Sequence, residues 1–180
     1  YLDRLEEEIE RIKILQYDCL NDTSLQKLAI RNSIMNEYET VSSILQLHQR
    51  LITIKNSSSY IEDVRAHIPP IDKTIAASMA IDEVNLENFE QIRVPPDVMG
   101  AQIVVYRDEL YLTTLQRDRF SGRNPRYSVE VELNQAIFEE ALEQFNTYPG
   151  SGSFLLFLSD DVVLTNQKSG QTEQNYDPEM

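Results

Sequence analysis

Few side chains in this sequence could do chemistry, and their spacing gives little support to catalysis. Only two histidines occur, His48 and His67. His48 falls on an apolar stripe of helical period, where an imidazole packs as a partly buried structural group. His67 stands just before Ile68-Pro69-Pro70, at the expected end of a short helix, where a cation meets the unpaired carbonyls favourably. The single cysteine, Cys19, continues the apolar register of the first helix. It has no local cation or helix N-terminus to make its thiol reactive, and alone it can form neither an internal disulfide nor a cysteine-rich zinc site. Five glycines spell no phosphate-binding loop, and Gly150-Ser151-Gly152-Ser153 reads as a flexible connection. Asp160-Asp161 offers two carboxylates to a metal ion, but an acidic pair between two strand-like runs is ordinary hairpin-turn chemistry. We therefore expect no catalytic residues, no metal and no cofactor.

One group runs against the overall charge. Arg117, Arg119, Arg123 and Arg126 surround Phe120, with Asp118 the one acid among them. Guanidinium groups bind phosphate or carboxylate in bidentate fashion, so this basic loop is a candidate partner-binding site. The plainer reading is a solvated loop balanced by the protein's own acids. With 30 acidic and 16 basic residues the net charge is −14, which disfavours nucleic acid and anionic lipid as partners.

The elements that must position these groups begin with residues 2–20. Leu2, Leu5, Ile9, Ile12, Gln16 and Cys19 recur at three-four spacing, the seam of a coiled coil. Asn21-Asp22-Thr23-Ser24 breaks the pattern and should cap a second helix. That helix is expected from about 25 to 55, roughly 45 Å long, with no proline or glycine inside it. One row passes through Ile34, Tyr38, Val41, Leu45, His48 and Ile52. A second row runs through Leu28, Met35, Ile44, Leu47, Leu51 and Ile54. Two rows on one helix imply two neighbours, and a short first helix cannot cover both. The first row is the expected partner-binding seam.

Asn56-Ser57-Ser58-Ser59 is the next break. Ser59 with Glu62 fits a capping box, so a short helix over 60–67 is expected, with a domain boundary near 68. Residues 71–92 read as partly helical, through Ile75, Met79, Val84, Leu86, Phe89 and Ile92. Residues 102–107 and 110–115 form a hairpin around Asp108-Glu109, and residues 126–133 alternate strictly as a half-buried strand. A helix over 135–145 should pack on the apolar side of that sheet. Phe154–Leu158 and Val162–Thr165 flank a second hairpin, and residues 167–180 form a polar tail.

The expected class is therefore α+β: a helical hairpin or coiled coil over 1–68, then a small domain over 69–166 with a mostly antiparallel sheet packed by one or two helices. No apolar run approaches the roughly 20 residues that cross a bilayer. One cysteine suggests reducing, intracellular surroundings, cytoplasm or nucleus. The functional expectation is a non-catalytic scaffold or adaptor subunit, a homodimer or hetero-oligomer through its helices, that docks protein through its α+β region. The alternatives are a nucleic-acid-associated factor using the Arg117–Arg126 loop and a carboxylate- or metal-dependent enzyme.

Overall fold

The computed structural model describes residues 2–78, 81–84, 101–107, 109–117, 125–143, 155–158 and 161–165. Contacts divide the chain into two units, residues 1–135 and 136–180. The class is α+β. The boundary expected near 68 falls inside the first unit, because the strand that ends there is central to its sheet.

Helix α1 (Leu2–Leu20) forms as its periodicity requires. Leu5, Ile12, Gln16 and Cys19 are buried, so the stripe is correct in register. Its neighbour is a sheet rather than a second helix. Helix α2 (Thr23–Ile30) starts at Asp22, whose carboxylate accepts from the amides of Ser24 and Leu25, satisfying two of the unpaired donors of the first turn.

The single long helix expected over 25–55 does not form. Helix α2 stops at Ile30, a 3₁₀ turn spans Asn32–Ile34, and helix α3 (Glu37–Lys55) begins afresh. The cause is local. Asn36 accepts from the Glu39 amide at 2.9 Å while the Glu39 carboxylate accepts from the Asn36 amide at 3.0 Å, a complete capping box. The new start re-aims α3 so that Leu47, Leu51 and Ile54 are buried. Ser24 Oγ donates to Gln46 Oε1 at 2.9 Å and ties α2 to α3.

Residues 60–67 are not helical. Strand β1 (Ile61–Ile68) replaces the expected short helix. A 3₁₀ turn (Pro69–Ile71) leads to β2 (Lys73–Ala76) and β3 (Ile81–Asp82), where part-helical structure was expected. Asp72 takes a left-handed φ of 51° at the turn, a conformation that aspartate tolerates better than most residues. Leu86, Phe89 and Ile92 lie outside the described residues. Strands β4 (Gln102–Tyr106), β5 (Glu109–Arg117) and β6 (Pro125–Leu133) include the expected hairpin and third strand, and they pair in sequence order as a meander. The sheet order is β3-β2-β1-β6-β5-β4, antiparallel throughout.

Registers define the two faces. Val64 opposes Val131, Ala66 opposes Val129, and Leu112 opposes Val131 from the other side. These residues, with Ile68, Ile75 and Tyr127, form the apolar face and are buried. Helices α1, α2 and α3 lie against it. Gln16 Nε2 donates to the carbonyls of Leu112 at 2.8 Å and Val129 at 2.7 Å. Tyr127 donates its hydroxyl to the carbonyl of Leu20 at 3.0 Å. The apolar side of the sheet is thus covered by the N-terminal helices, and no coiled-coil hairpin forms over 1–68.

In the second unit, helix α4 (Gln135–Glu143) begins one residue inside the first, and β7 (Leu155–Leu158) pairs antiparallel with β8 (Asp161–Thr165). Both match the sequence reading. The polar tail over 167–180 lies outside the described residues.

The capping box makes a stability claim that can be measured. Asn36→Ala should cost about 1 kcal/mol in urea unfolding, read as a lower midpoint at unchanged slope. No loss would mean that the break between α2 and α3 is set by packing instead.

Candidate functional site

The two apolar rows read from residues 25–55 meet different fates. Of the second row, Leu28, Leu47 and Leu51 have 0% exposure and Ile54 has 1%. Of the first row, Ile34 is 78% exposed, Tyr38 80%, Val41 50% and Leu45 61%. His48 and Ile52 are half-buried, and His48 Nε2 is buried without a hydrogen-bond partner. Helix geometry explains the split. Positions 38, 41, 45, 48 and 52 share one side of α3, while 47, 51 and 54 share the opposite side. Once the second row is committed to the sheet, the first must face outward. Ile34 precedes α3 in the 3₁₀ turn and extends the exposed row toward α2.

Beside this row a cleft of about 210 Å³ opens between α2 and α3. Ile34, Met35 and Tyr38 supply its apolar wall, and Lys27 and Arg31 stand at its rim. The stretch from Thr40 to Gln49 contains no charged residue. In a chain of net charge −14, such a neutral exposed face is not explained by solubility. It has the composition of an interaction core, depleted of charge and holding an aromatic.

The opposite face of the sheet carries a polar network that the sequence reading missed. Asp63, Arg65 and His67 alternate along β1, and Glu130 and Glu132 alternate along β6. Arg65 reaches Asp63 at 3.4 Å, Glu130 at 3.1 Å and Glu132 at 2.5 Å. His67 Nε2 lies 3.0 Å from the second Glu130 oxygen, and its Nδ1 lies 3.0 Å from Thr74 Oγ1. Asp63 also accepts from the amide and hydroxyl of Ser78. Burial by itself would raise the Glu130 carboxyl, but the His67 hydrogen bond and the charges of His67 and Arg65 outweigh it and hold its pKa below the usual value. Glu132 goes the other way. Its burial exceeds the help it receives from Arg65, and its pKa is raised. Burial likewise opposes the charge on Arg65, yet its three carboxylates keep its pKa above the ordinary guanidinium value.

The chain Thr74–His67–Glu130 has the connectivity of a nucleophile relay, hydroxyl to imidazole to carboxylate. Its placement argues for structure instead. His67 and Thr74 are direct cross-strand partners in the β1–β2 ladder, and Glu130 is shared with Arg65. The network joins β2, β1 and β6 through side chains, as cross-strand polar pairs do.

The remaining candidates are soon placed. Arg117 closes β5 and Arg126 lies in β6, near the same end of that hairpin, with Arg117 opposite Pro125. Arg119 and Arg123 lie outside the described residues. Asp161 opens β8 opposite Leu158, and Asp160 lies outside the described residues. Cys19 is buried, and desolvation first, then the Asp22 charge, push its thiol up to about 12, which makes it inert at neutral pH. His67 stands in a strand rather than at a helix end, so the dipole argument for it fails. Among the described residues no group of three or more His, Cys, Asp or Glu side chains is disposed to hold a metal ion, and no helix is long and apolar enough to cross a membrane. The sequence matches no protein-family model, no curated protein and no solved structure.

Two outcomes follow from this geometry. Leu51→Ala should cost about 2–5 kcal/mol, whereas Leu45→Ala on the outer row should change stability by less than roughly 0.5 kcal/mol. Equal losses by calorimetry would place both rows in the core. Glu130→Gln should cost about 2 kcal/mol at neutral pH, because it weakens a buried ion pair. The folded pKa of Glu130 is depressed, so its contribution is complete above the unfolded value and is lost as pH falls through the folded one. The gap between wild type and variant should therefore close on acidification. A pH-independent gap would show that packing, not charge, is at stake.

Proposed function

We propose that this chain is a non-catalytic interaction module that associates with protein through the outer row of α3, with Ile34 extending the surface toward α2. The observation that carries the reading is the split between the two rows. A helix already anchored by Leu47, Leu51 and Ile54 presents a second apolar row, Tyr38, Val41 and Leu45, outward. Scattered exposed apolar residues need no explanation, but a contiguous row at heptad spacing is complementary to another amphipathic helix.

The polar network supports this reading indirectly. Its groups are engaged with one another across three strands and act as internal cross-links. The scaffold they stiffen holds α3 at a fixed attitude, which lowers the ordering cost of docking. The acidic surface outside α3 adds solubility and steers basic partner surfaces.

The reading is tested by comparing proteins recovered from native extract on immobilised wild type and on a Leu45→Glu variant. Species that depend on the seam should be retained by wild type and by Glu130→Gln but lost from Leu45→Glu. Recovery indifferent to Leu45 would move the docking site elsewhere and remove the reading.

A further inference from the structure

Charges at the two ends of α3 identify what its outer row fits. We propose that the row binds a second copy of this chain, with the two α3 helices antiparallel about a two-fold axis at Leu45. This rests on the docking surface proposed above and names its occupant.

The row is symmetric about Leu45. Tyr38 and Ile52 lie seven residues to either side, as do Ser42 and His48 at three residues and Val41 and Gln49 at four. Laid antiparallel, Leu45 meets its own copy and Tyr38 meets Ile52. Ile52 is half-buried, so the exposed Tyr38 of one copy lies opposite the lower part of the row on the other.

The flanking charges follow the same symmetry. Glu37 and Lys55 are eighteen residues apart, about five turns, and lie together on one flank of the row. A two-fold axis perpendicular to antiparallel helices keeps each flank on its own side. Glu37 of one copy then faces Lys55 of the other, and the pair is made twice. A parallel arrangement instead sets acids beside acids and bases beside bases, and aligns the helix dipoles unfavourably. Between the charged ends, residues 40–49 carry no charge, so the strong net negative charge of the chain does not oppose contact along the row. An interface of this kind is isologous, as two-fold dimers require. One helix pair buries less than the roughly 800 Å² per partner of a standard interface, so the dimer forms and dissociates with concentration.

Sedimentation equilibrium of the whole chain from about 10 µM to about 1 mM, the range set by so small an interface, should show reversible monomer–dimer exchange. Glu37→Lys and Lys55→Glu should each weaken it, because each sets like charges opposite one another, and an equal mixture of the two variants should recover it. Direction is read by oxidation. Tyr38→Cys mixed with Ile52→Cys should give mainly the mixed disulfide, since Cys19 is buried and inert. A protein that stays monomeric throughout, or self-cross-linking of each cysteine variant without the mixed species, overturns the proposal. If the chain is monomeric but extract proteins are still lost on Leu45→Glu, the occupant is a different protein and only the present inference falls. If neither is seen, both readings fall.

Discussion

The structure depends on one pairing, β1 against β6, and on the strict two-residue period of both strands. Val64, Ala66 and Ile68 alternate with Asp63, Arg65 and His67, as Val129 and Val131 alternate with Glu130 and Glu132. In this register all apolar members point toward the helices and all charged members point away. A slip of one residue would drive carboxylates and a guanidinium into the helical layer. The ion network adds discrimination to that hydrophobic rule, because Arg65 can reach Asp63, Glu130 and Glu132 together only when the strands are aligned. Desolvation offsets much of the attraction in a buried ion network, so its net contribution to stability is small beside that of the apolar face.

The helices answer to the sheet in turn. Gln16 sits in the middle of an otherwise apolar stripe with no exposure, and its amide reaches carbonyls on two adjacent strands. A polar group placed there fixes the sliding position of α1, which leucine contacts alone would leave loose. For α3 the equivalent constraint is the restart at Asn36. The capping box fixes where α3 starts, and the sheet it meets decides which row is covered and which meets water. The outward row is thus a by-product of how the inward one is anchored.

Periodicity made α1, the β4–β6 meander, α4 and the β7–β8 hairpin legible, because each is bounded by turn-formers and has one unambiguous repeat. Over residues 60–67 the local signal points to the wrong element. Ile61, Val64 and Ile68 are spaced by three and four, which suits a helix as well as a strand, and Ser59 with Glu62 imitates a capping box. Pairing with β6, more than sixty positions away, overrides that local signal. The reverse happened at Asn36-Glu37-Tyr38-Glu39, where a real capping box was hidden by continuous apolar spacing on both sides. The row Ile34–Ile52 was visible as apolar, but both rows of α3 are so, and only the sheet decides which is covered. The Arg65 network could have been found from the alternation of Asp63, Arg65 and His67, had the segment been read with a two-residue period.

The β1–β6 pairing also sets a timetable. During synthesis the three N-terminal helices and β1 emerge well before β6, so the inner rows of α1 and α3 and the apolar side of β1 have no sheet to lie on until residue 133 has been made. Contacts spanning such sequence distances are slow to form, and this interval is where a nascent chain carrying several greasy surfaces is most exposed to misassembly. The outward row of α3 adds exposed apolar surface throughout that interval.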